Sequence, residues 1–384
     1  MKDTTRLVRV GLPDPPEKLA PGDPIHPGPI FASAYATPGD PAESPYTYAR
    51  FHNPTWGELE HALGALEGGM ARIFPSGMAA VMAVFAAVLR PGDAVVLPSD
   101  CYYTTRILTQ EFLAAFGITA RLAPTADNAQ EKLLEGTKLL WLETPSNPTM
   151  DICDIRLLAD SAHKAGALVA VDNSTPTALG QRPLALGADI SVASDTKSLT
   201  GHSDLLLGHV AVRDPELNAK IDRWRTLSGS VVGPMEAWLA MRSLATLPLR
   251  LEKQSQNAQM IAEFLESHRI VNAVYYPGLV SHRSHALARR QMRFFGPVVS
   301  FELPSRSSAE RFLKASNLLV EATSFGGIVS SAERRARWGQ DAVSEGFIRL
   351  SAGCEDIEDL LADLDQALSN PAIYLTPPTA TGCI

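Results

Sequence analysis

The pattern of apolar and polar positions changes along the chain and divides it into three segments. Residues 1–57 are rich in proline and lack a helix or strand period, which predicts an extended arm without a core of its own. Residues 58–233 alternate short apolar runs with helical periods, which is typical of an α/β domain. Residues 234–384 begin with a helical pattern and continue with mixed signals, which predict a linking helix and a C-terminal α+β domain.

The apolar runs of the second segment are short and nearly continuous, as in strands that are buried on both faces of a parallel sheet. Ligands of such sheets bind beyond the carboxyl ends of the strands. Asn147, Asp172 and Lys197 each fall within a few residues of such an end, so we expect them to converge on one edge. The predicted strands are Ala94 to Leu97, Lys138 to Glu143, Ala167 to Asp172, Asp189 to Ser194 and Leu205 to Val212.

The third segment predicts a smaller layer of strands and helices. Its pattern indicates helical linkage over residues 234–268 and a loose tail after Pro371. Between them we expect strand Val298 to Leu303, helix Ala309 to Lys314, strand Phe347 to Ser351 and helix Glu355 to Leu368.

Composition narrows the class of protein. The 384 residues carry a formal net charge of -8, which argues against a nucleic-acid or anionic-membrane partner. The four cysteines are scattered without paired spacing, so we expect reduced thiols and neither a disulfide framework nor a metal site. The N-terminus lacks a signal-peptide core, and the most apolar run is too short to span a bilayer. These features predict a cytoplasmic enzyme with a small-molecule substrate.

The stretch around Lys197 carries the most distinctive chemistry. Lys197 follows a predicted strand and is preceded by Ser194 and Thr196, whose hydroxyls can hold a phosphate. A lysine in that setting suits a pyridoxal 5'-phosphate (PLP) enzyme, although a surface lysine in a polar turn has the same local pattern. Asp172 could pair with a pyridinium nitrogen or simply cap a loop. Asn147 could donate to the phenolic oxygen of a cofactor or belong only to a proline-rich turn.

A second phosphate-binding element is predicted at residues 74–80, where Gly77 and Met78 open an apolar helix. Free amides at a helix N-terminus bind phosphate, whereas Ser76 could equally be a plain N-cap. Tyr102 follows another predicted strand and could stack on a flat cofactor, or be an ordinary half-buried aromatic residue.

Two arginines are candidates for binding anions. Arg50, with Tyr48 beside it, lies in the arm and could reach a phosphate across a subunit boundary, or remain solvated. Arg349 is the one cation in the apolar strand Phe347 to Ser351 and therefore needs an anionic partner. A substrate carboxylate and a structural salt bridge both satisfy that need.

Several ordered motifs together resemble one family, the Cys/Met-metabolism family of PLP enzymes, with the type I aminotransferase-like fold. The resemblance runs from about Tyr48 to Leu368 through YARFHNPT, ALEGG, PSGMAA, ETPSNPT, VDNS, SDTKSLTGHSD, SFGG and IRLSAGCEDIEDLLADL. It implies a large, mostly parallel-sheet domain, a small C-terminal domain and PLP as cofactor. It also implies a homotetramer, a dimer of dimers whose active sites are shared between subunits.

The resemblance assigns roles to the candidate residues. Lys197 would hold the cofactor covalently and take the α-proton of the substrate, and Tyr48 or Tyr102 would help the thiol leave. The substrate carboxylate would meet Arg349 and Ser324. The implied cofactor-binding residues are Tyr48, Arg50, Gly77, Met78, Tyr102, Asn147, Asp172, Ser194, Thr196 and Lys197.

Within the family the motifs look most like the actinobacterial type of cystathionine gamma-lyase, which implies γ-elimination of L-cystathionine to cysteine, 2-oxobutanoate and ammonia. Cystathionine gamma-synthase, methionine gamma-lyase and a carbon–sulfur lyase of secondary metabolism are the alternatives, and a non-catalytic scaffold is a further one. Thr104 stands where methionine gamma-lyases typically carry cysteine. Val329 replaces a glutamate found in many relatives, at the distal end of the substrate site.

Overall fold

The computed structural model describes residues 1–12 and 19–370, so the predicted loose tail after Pro371 lies outside the described residues. Its strands are β1 (Met70–Phe74), β2 (Ala94–Pro98), β3 (Thr119–Ala123), β4 (Leu139–Glu143), β5 (Leu168–Asp172), β6 (Ile190–Ala193), β7 (Gly208–Val212), β8 (Ala273–Tyr275), β9 (Val298–Glu302), β10 (Val320–Glu321), β11 (Ser331–Arg334) and β12 (Phe347–Ser351). Its α-helices are α1 (Asp3–Val8), α2 (Pro54–Glu67), α3 (Gly77–Val88), α4 (Tyr103–Ile107), α5 (Ile155–Lys164), α6 (Thr177–Gly180), α7 (Pro215–Ser228), α8 (Pro234–Leu244), α9 (Leu247–Ser267), α10 (His285–Gln291), α11 (Arg306–Ala315) and α12 (Ile357–Ser369).

A seven-stranded sheet forms the centre of the larger layer, in the order β1-β7-β6-β5-β4-β2-β3. Strand β7 runs antiparallel to both of its neighbours, and the other pairs are parallel. Helices cover both faces: Val95 and Leu97 pack in the cluster that contains α3, whereas Val96 packs in the cluster that contains α5. The predicted α/β class with a largely parallel, buried sheet is therefore confirmed.

The predicted strands of this sheet are present with small changes at their ends. Strand β7 begins at Gly208 rather than Leu205 because Leu207 bonds elsewhere: its amide donates to Thr196 Oγ1 at 3.0 Å, and its carbonyl accepts from the Thr196 amide at 3.2 Å. Strands β1 and β3 were not predicted. Both lie at the edges of the sheet, where burial is incomplete and the apolar signal is weaker.

The smaller sheet has the order β10-β11-β12-β9-β8 and is antiparallel except at β10–β11. Helices α8 and α9 provide the predicted helical linkage, and residues of α9, α11 and α12 share a core with this sheet. Helix α11 begins at Arg306, three residues before its predicted start, because the Ser305 side chain caps it by accepting from the Ser308 amide at 3.1 Å. Strand β12 has its predicted bounds.

The predicted extended arm is wrong at its beginning. Residues 3–8 form α1, and Leu7 is fully buried in the cluster shared with α2 and α8. Residues 19–53 are mostly without regular structure and expose apolar side chains, among them Ile25 and Phe31, which are 67% and 69% exposed. The arm therefore contributes to the core at one end and presents unpartnered apolar surface further on.

Three further observations concern the described residues. Within 1–12 and 19–370, no helix is long and apolar enough to cross a membrane. In the same ranges no group of three or more His, Cys, Asp or Glu side chains could hold a metal ion. Cys101, Cys153 and Cys354 are free thiols.

Candidate active site

A cavity of about 360 Å³ opens where β4, β5 and β6 end, beside the smaller sheet. Asn147, Asp172 and Lys197 all line it, so the structure brings together the three polar residues that were expected at one sheet edge. The other candidates from the sequence that line this cavity are Gly77, Met78, Tyr102, Ser194, Thr196, Ser324 and Arg349.

Two carboxyl groups stand side by side at the sheet edge, because Glu143 and Asp172 are register partners on β4 and β5. Asp172 Oδ1 accepts from the Ser174 amide at 3.0 Å and from its hydroxyl at 2.6 Å. The same hydroxyl oxygen accepts from the Ser194 amide at 2.7 Å. Ser174 thus fixes the Asp172 carboxylate relative to the turn that carries Lys197.

Burial affects the two carboxyl groups differently. Burial, and then the charge of Asp172, raise the pKa of Glu143 well above its usual range, against the hydrogen bond from the Tyr102 amide. Burial also raises the pKa of Asp172, but the hydrogen bonds from Ser174 and the charge of Lys197 oppose that rise. Burial thus raises the pKa of both carboxyl groups, and the opposition from Ser174 and Lys197 favours Asp172 over Glu143 as the group that carries a charge.

The amine of Lys197 is the reactive group of the cavity. Its backbone amide donates to the Ser194 carbonyl at 3.1 Å, which closes the turn 194–197. Its Nζ lies 5.6 Å from the centre of the Phe325 ring, and no hydrogen bond or ion pair to another described residue involves it. Burial and the charge of Arg349 lower the pKa of Lys197, while Asp172 opposes them. An unpaired amine of lowered pKa can act as a nucleophile and as a proton acceptor.

The start of α3 lies against this turn. A Cβ added to Gly77 would lie 2.6 Å from the Ser194 Cβ, so only glycine permits this approach. Ser76 is also a conventional N-cap, accepting from the Ala79 amide at 3.1 Å. The N-cap interpretation is therefore confirmed, whereas phosphate binding stays a prediction, for which the helix N-terminus and the hydroxyls of Ser194 and Thr196 line one cavity.

Tyr102 lies at the cavity, whereas Tyr48 and Arg50, which were also predicted to bind the cofactor, lie elsewhere in the chain. Tyr102 lines the cavity, remains 39% exposed and has its ring 5.0 Å from that of Tyr103. Tyr48 and Arg50 do not line the cavity of their own chain. Arg50 Nη1 instead donates to the Thr226 carbonyl at 2.7 Å, and Tyr48 is 45% exposed.

The structure shows the salt bridge that was one of the two interpretations of Arg349, and substrate binding by Arg349 stays a prediction. Its Nη2 forms a salt bridge of 2.5 Å with Glu333 Oε1 and donates to the Ser324 carbonyl at 2.7 Å. Its Nη1 donates to Asn147 Oδ1 at 3.2 Å, which orients that amide as well. The guanidinium is therefore held in a fixed place on the cavity wall, where it can meet a substrate carboxylate.

Glu333, Arg335 and Trp338 were not identified from the sequence. Glu333 is fully buried and accepts from Arg335 Nη1 at 2.7 Å, Arg337 Nη2 at 2.9 Å and Trp338 Nε1 at 2.8 Å, in addition to Arg349. Arg335 and Trp338 line the cavity. Residues 331–338 show no pattern that marks them as part of a site. Glu143 was not identified either, although its position at the end of a predicted strand is the same signal that marked Asp172.

A family model described as Cys/Met metabolism PLP-dependent enzyme matches residues 5–369. The chain belongs to this family. Pyridoxal 5'-phosphate is therefore its cofactor, as the residues at Lys197 indicate, and the enzyme acts on carbon–sulfur bonds of amino acids. The residues present fit the group: an unpaired buried amine, a carboxyl group at the sheet edge, and hydroxyls beside a helix N-terminus share one cavity.

Relatives of this chain within the family differ in their named reactions. A Streptomyces coelicolor protein, whose name marks it as an inferred cystathionine gamma-lyase, is 54% identical over 95% of this chain and 93% of its own. The structure of cystathionine gamma-synthase from Xanthomonas oryzae pv. oryzae in complex with cystathionine has a TM-score of 0.91 and 36% identity, covering 96% and 98% of the two chains. A methionine gamma lyase from Micromonospora echinospora has a TM-score of 0.89 and 37% identity, covering 96% and 99%.

Proposed function

We propose that this family member is a cystathionine gamma-lyase, which converts L-cystathionine and water to cysteine, 2-oxobutanoate and ammonia. The observation that carries the proposal is the position of the unpaired Lys197 amine in one cavity with Asp172 and Arg349. The 54% identity to the Streptomyces coelicolor protein favours the lyase reaction over its alternatives.

Each residue has a proposed task in this reaction. Arg349 binds the substrate carboxylate, and Ser324 supports it by accepting from Arg349 through its carbonyl. Lys197 takes the α-proton, for which its lowered pKa suits it. When bound, the cofactor draws electron density from the substrate α-carbon, and Asp172 keeps the cofactor's ring nitrogen protonated. Asn147 donates to its phenolic oxygen.

The elimination itself removes a second proton, from the β-carbon, and breaks the bond between the γ-carbon and sulfur. The sulfur leaves with a proton as the thiol of cysteine. Tyr102 is the proposed donor from within the chain, and Tyr48 is the proposed alternative from a neighbouring subunit. Water then releases ammonia and 2-oxobutanoate, so that the reaction is balanced with one water consumed.

The phosphate is held, in this proposal, by Gly77, Met78, Ser194 and Thr196, with Tyr48 and Arg50 supplied by the adjoining subunit of a homotetramer. The exposure of Tyr48 and the exposed apolar side chains of the arm support this assembly. We also propose that the enzyme is cytoplasmic. The described cysteines are free thiols, which is the form that a reducing compartment maintains.

Lys197→Ala tests the catalytic assignment. The variant is expected to release no ammonia or 2-oxo acid from L-cystathionine above the uncatalysed rate, because it lacks both the covalent attachment and the proton acceptor. Ammonia and 2-oxo acid release are measured on purified protein, with Lys253→Ala as the control for loss of one lysine outside the cavity. Substantial turnover by Lys197→Ala would contradict the assignment.

Cystathionine gamma-synthase is the second candidate, because a structure with that name and with bound cystathionine matches at a TM-score of 0.91. This alternative adds cysteine to an activated homoserine and uses the same proton transfers. Wild-type enzyme given activated homoserine and cysteine distinguishes the two. Cystathionine formation faster than cystathionine breakdown would favour the synthase.

A further inference from the structure

A buried histidine lies between two carboxylates directly behind the turn 194–197. His209 Nδ1 is 2.8 Å from Asp195 Oδ1, and its Nε2 is 3.1 Å from Glu67 Oε1. None of the three residues is more than 1% exposed. They come from three separate elements, because Glu67 ends α2, Asp195 lies in the turn and His209 is on β7. We refer to them as the Glu67–His209–Asp195 unit.

The ring of His209 carries a charge in this arrangement. Each ring nitrogen faces a carboxylate oxygen, and only an imidazolium has a proton to donate from both nitrogens. Burial by itself would lower the pKa of His209, but the charge of Asp195 and the hydrogen bonds to Asp195 and Glu67 outweigh it and raise that pKa to about 10. The unit is thus a buried imidazolium held by hydrogen bonds to carboxyl groups of two other elements, and such bonds are stronger than those of a neutral ring.

The unit supports the residues that face the cavity without reaching the cavity itself. Ser194, Thr196 and Lys197 line the cavity, whereas Asp195 is fully buried and does not line it. The Asp195 carbonyl also accepts from the Thr200 amide at 3.0 Å and from its hydroxyl at 2.9 Å. Asp195 is therefore held at both its side chain and its backbone, between the two hydroxyls proposed to bind phosphate.

The strand of His209 also contacts the other half of the proposed phosphate site. A Cβ added to the neighbouring Gly208 would lie 2.8 Å from the Gly77 amide nitrogen, so β7 passes directly behind the start of α3. The same strand thus contacts the N-terminus of α3 through Gly208 and the turn through His209. A shift of β7 would displace both halves together.

We propose that the Glu67–His209–Asp195 unit is a positioning element for cofactor binding, which holds the Ser194 and Thr196 hydroxyls and the Lys197 amine in the geometry that the phosphate of PLP requires. This inference rests on the phosphate site given under the proposed function. None of the three residues touches the cofactor, so each acts through the turn.

The test measures PLP affinity and stability separately, on apoenzyme prepared from each variant. Asp195→Asn is expected to raise the dissociation constant of PLP about tenfold, the usual effect of removing a group that orients a binding residue. His209→Gln should have a similar effect. Glu67→Gln keeps a hydrogen-bond acceptor at the far end of the unit, so it should raise the dissociation constant of PLP by less. This variant provides the test if the other two do not fold.

Asp363→Asn is the matched control, because Asp363 is a buried carboxylate that accepts from Ser316 and Asn317 far from the cavity lining. It is expected to lower the melting temperature of the apoenzyme and leave PLP affinity unchanged. The ³¹P resonance of bound PLP gives a second readout, which should move in Asp195→Asn and stay in place in Asp363→Asn.

Two results separate this inference from the phosphate assignment. If the unit's variants lose stability but bind PLP within twofold of wild type and keep its ³¹P shift, the positioning role is wrong. If Ser194→Ala with Thr196→Val leaves PLP affinity unchanged while Asp195→Asn weakens it, the proposed phosphate residues are wrong and the unit acts on cofactor binding through another part of the turn.

Discussion

The two ends of the cavity are built on opposite charge patterns. Behind the proposed phosphate end, the His209 cation lies between two carboxylates. At the proposed carboxylate end, the Glu333 carboxylate lies among arginines and accepts from Trp338 as well. The first arrangement fixes a turn of contiguous backbone, whereas the second fixes one long side chain, because Glu333 on β11 holds Arg349 on the adjacent strand β12. We therefore expect substitutions behind the proposed phosphate end to impair cofactor binding, and substitutions at the proposed carboxylate end to impair substrate binding.

The largest effect at the carboxylate end is expected from Arg349→Gln. The loss of the guanidinium removes the partner of the substrate carboxylate and leaves Glu333 buried with one cation fewer. We expect kcat/KM for L-cystathionine to fall roughly 100-fold or more, mainly through KM. Arg334→Gln is the control in steady-state kinetics, because Arg334 is a buried arginine of the adjacent strand β11 that pairs with Glu345 and does not line the cavity. A PLP affinity reduced as much as substrate affinity would remove the distinction between the two ends.

A smaller effect is expected from Glu333→Gln. Arg349 then keeps its charge and its bonds to Asn147 and Ser324, but it loses its charged acceptor, so kcat/KM should fall about tenfold. Arg337→Gln is the matched control, since Arg337 contacts Glu333 from the half-exposed side and also pairs with Glu321. Equal losses in the two variants would show that the cluster acts on stability and not on the position of Arg349.

The smallest expected effects are on the pH dependence of stability. The contributions of His209 and Glu333 to the stability of the apoenzyme should be lost at opposite ends of the pH scale. The folded pKa of His209 lies above its ordinary value, so its contribution is complete below about pH 6.5 and is lost as pH rises through about 10. Burial opposes ionisation of Glu333, but the charge of Arg349 and the other donors lower its pKa, so its contribution is present above about pH 4.5 and is lost as pH falls through the folded pKa.

Melting temperatures of apoenzyme across this range measure both contributions. The difference between wild type and His209→Gln should shrink by a few degrees from pH 6.5 to 10. The difference between wild type and Glu333→Gln should shrink only on the acid side. A His209→Gln difference that stays constant between pH 6.5 and 10 would contradict a charged histidine.

The sequence predicted the proposed phosphate end of the cavity more completely than the proposed carboxylate end. Lys197 and its flanking hydroxyls are contiguous, and Asp172 and Asn147 follow strands whose ends must meet in a parallel sheet, so local pattern and topology were sufficient. Arg349 was also visible, because a cation within an apolar strand requires an anionic partner. Its partner was not, because Glu333 is brought to it by antiparallel pairing of β11 with β12.

The Glu67–His209–Asp195 unit was invisible for a related reason. Glu67 and His209 are 142 residues apart, and neither residue has a neighbour in the sequence that marks it as charged and buried. Only the fold places α2, the turn and β7 together. The beginning of the arm was mispredicted for a different reason: the helix that buries Leu7 has only six residues, too few to show a helical period in the sequence.

The identity of the 2-oxo acid released from L-cystathionine tests the central claim most directly. Purified PLP-loaded enzyme is incubated with L-cystathionine, with Lys197→Ala as the blank, and the 2-oxo acid and the thiol are identified by chromatography. We predict 2-oxobutanoate and cysteine in equal amounts. Pyruvate with homocysteine would mean cleavage on the other side of sulfur and would contradict γ-elimination, and the absence of either pair would contradict the lyase assignment itself.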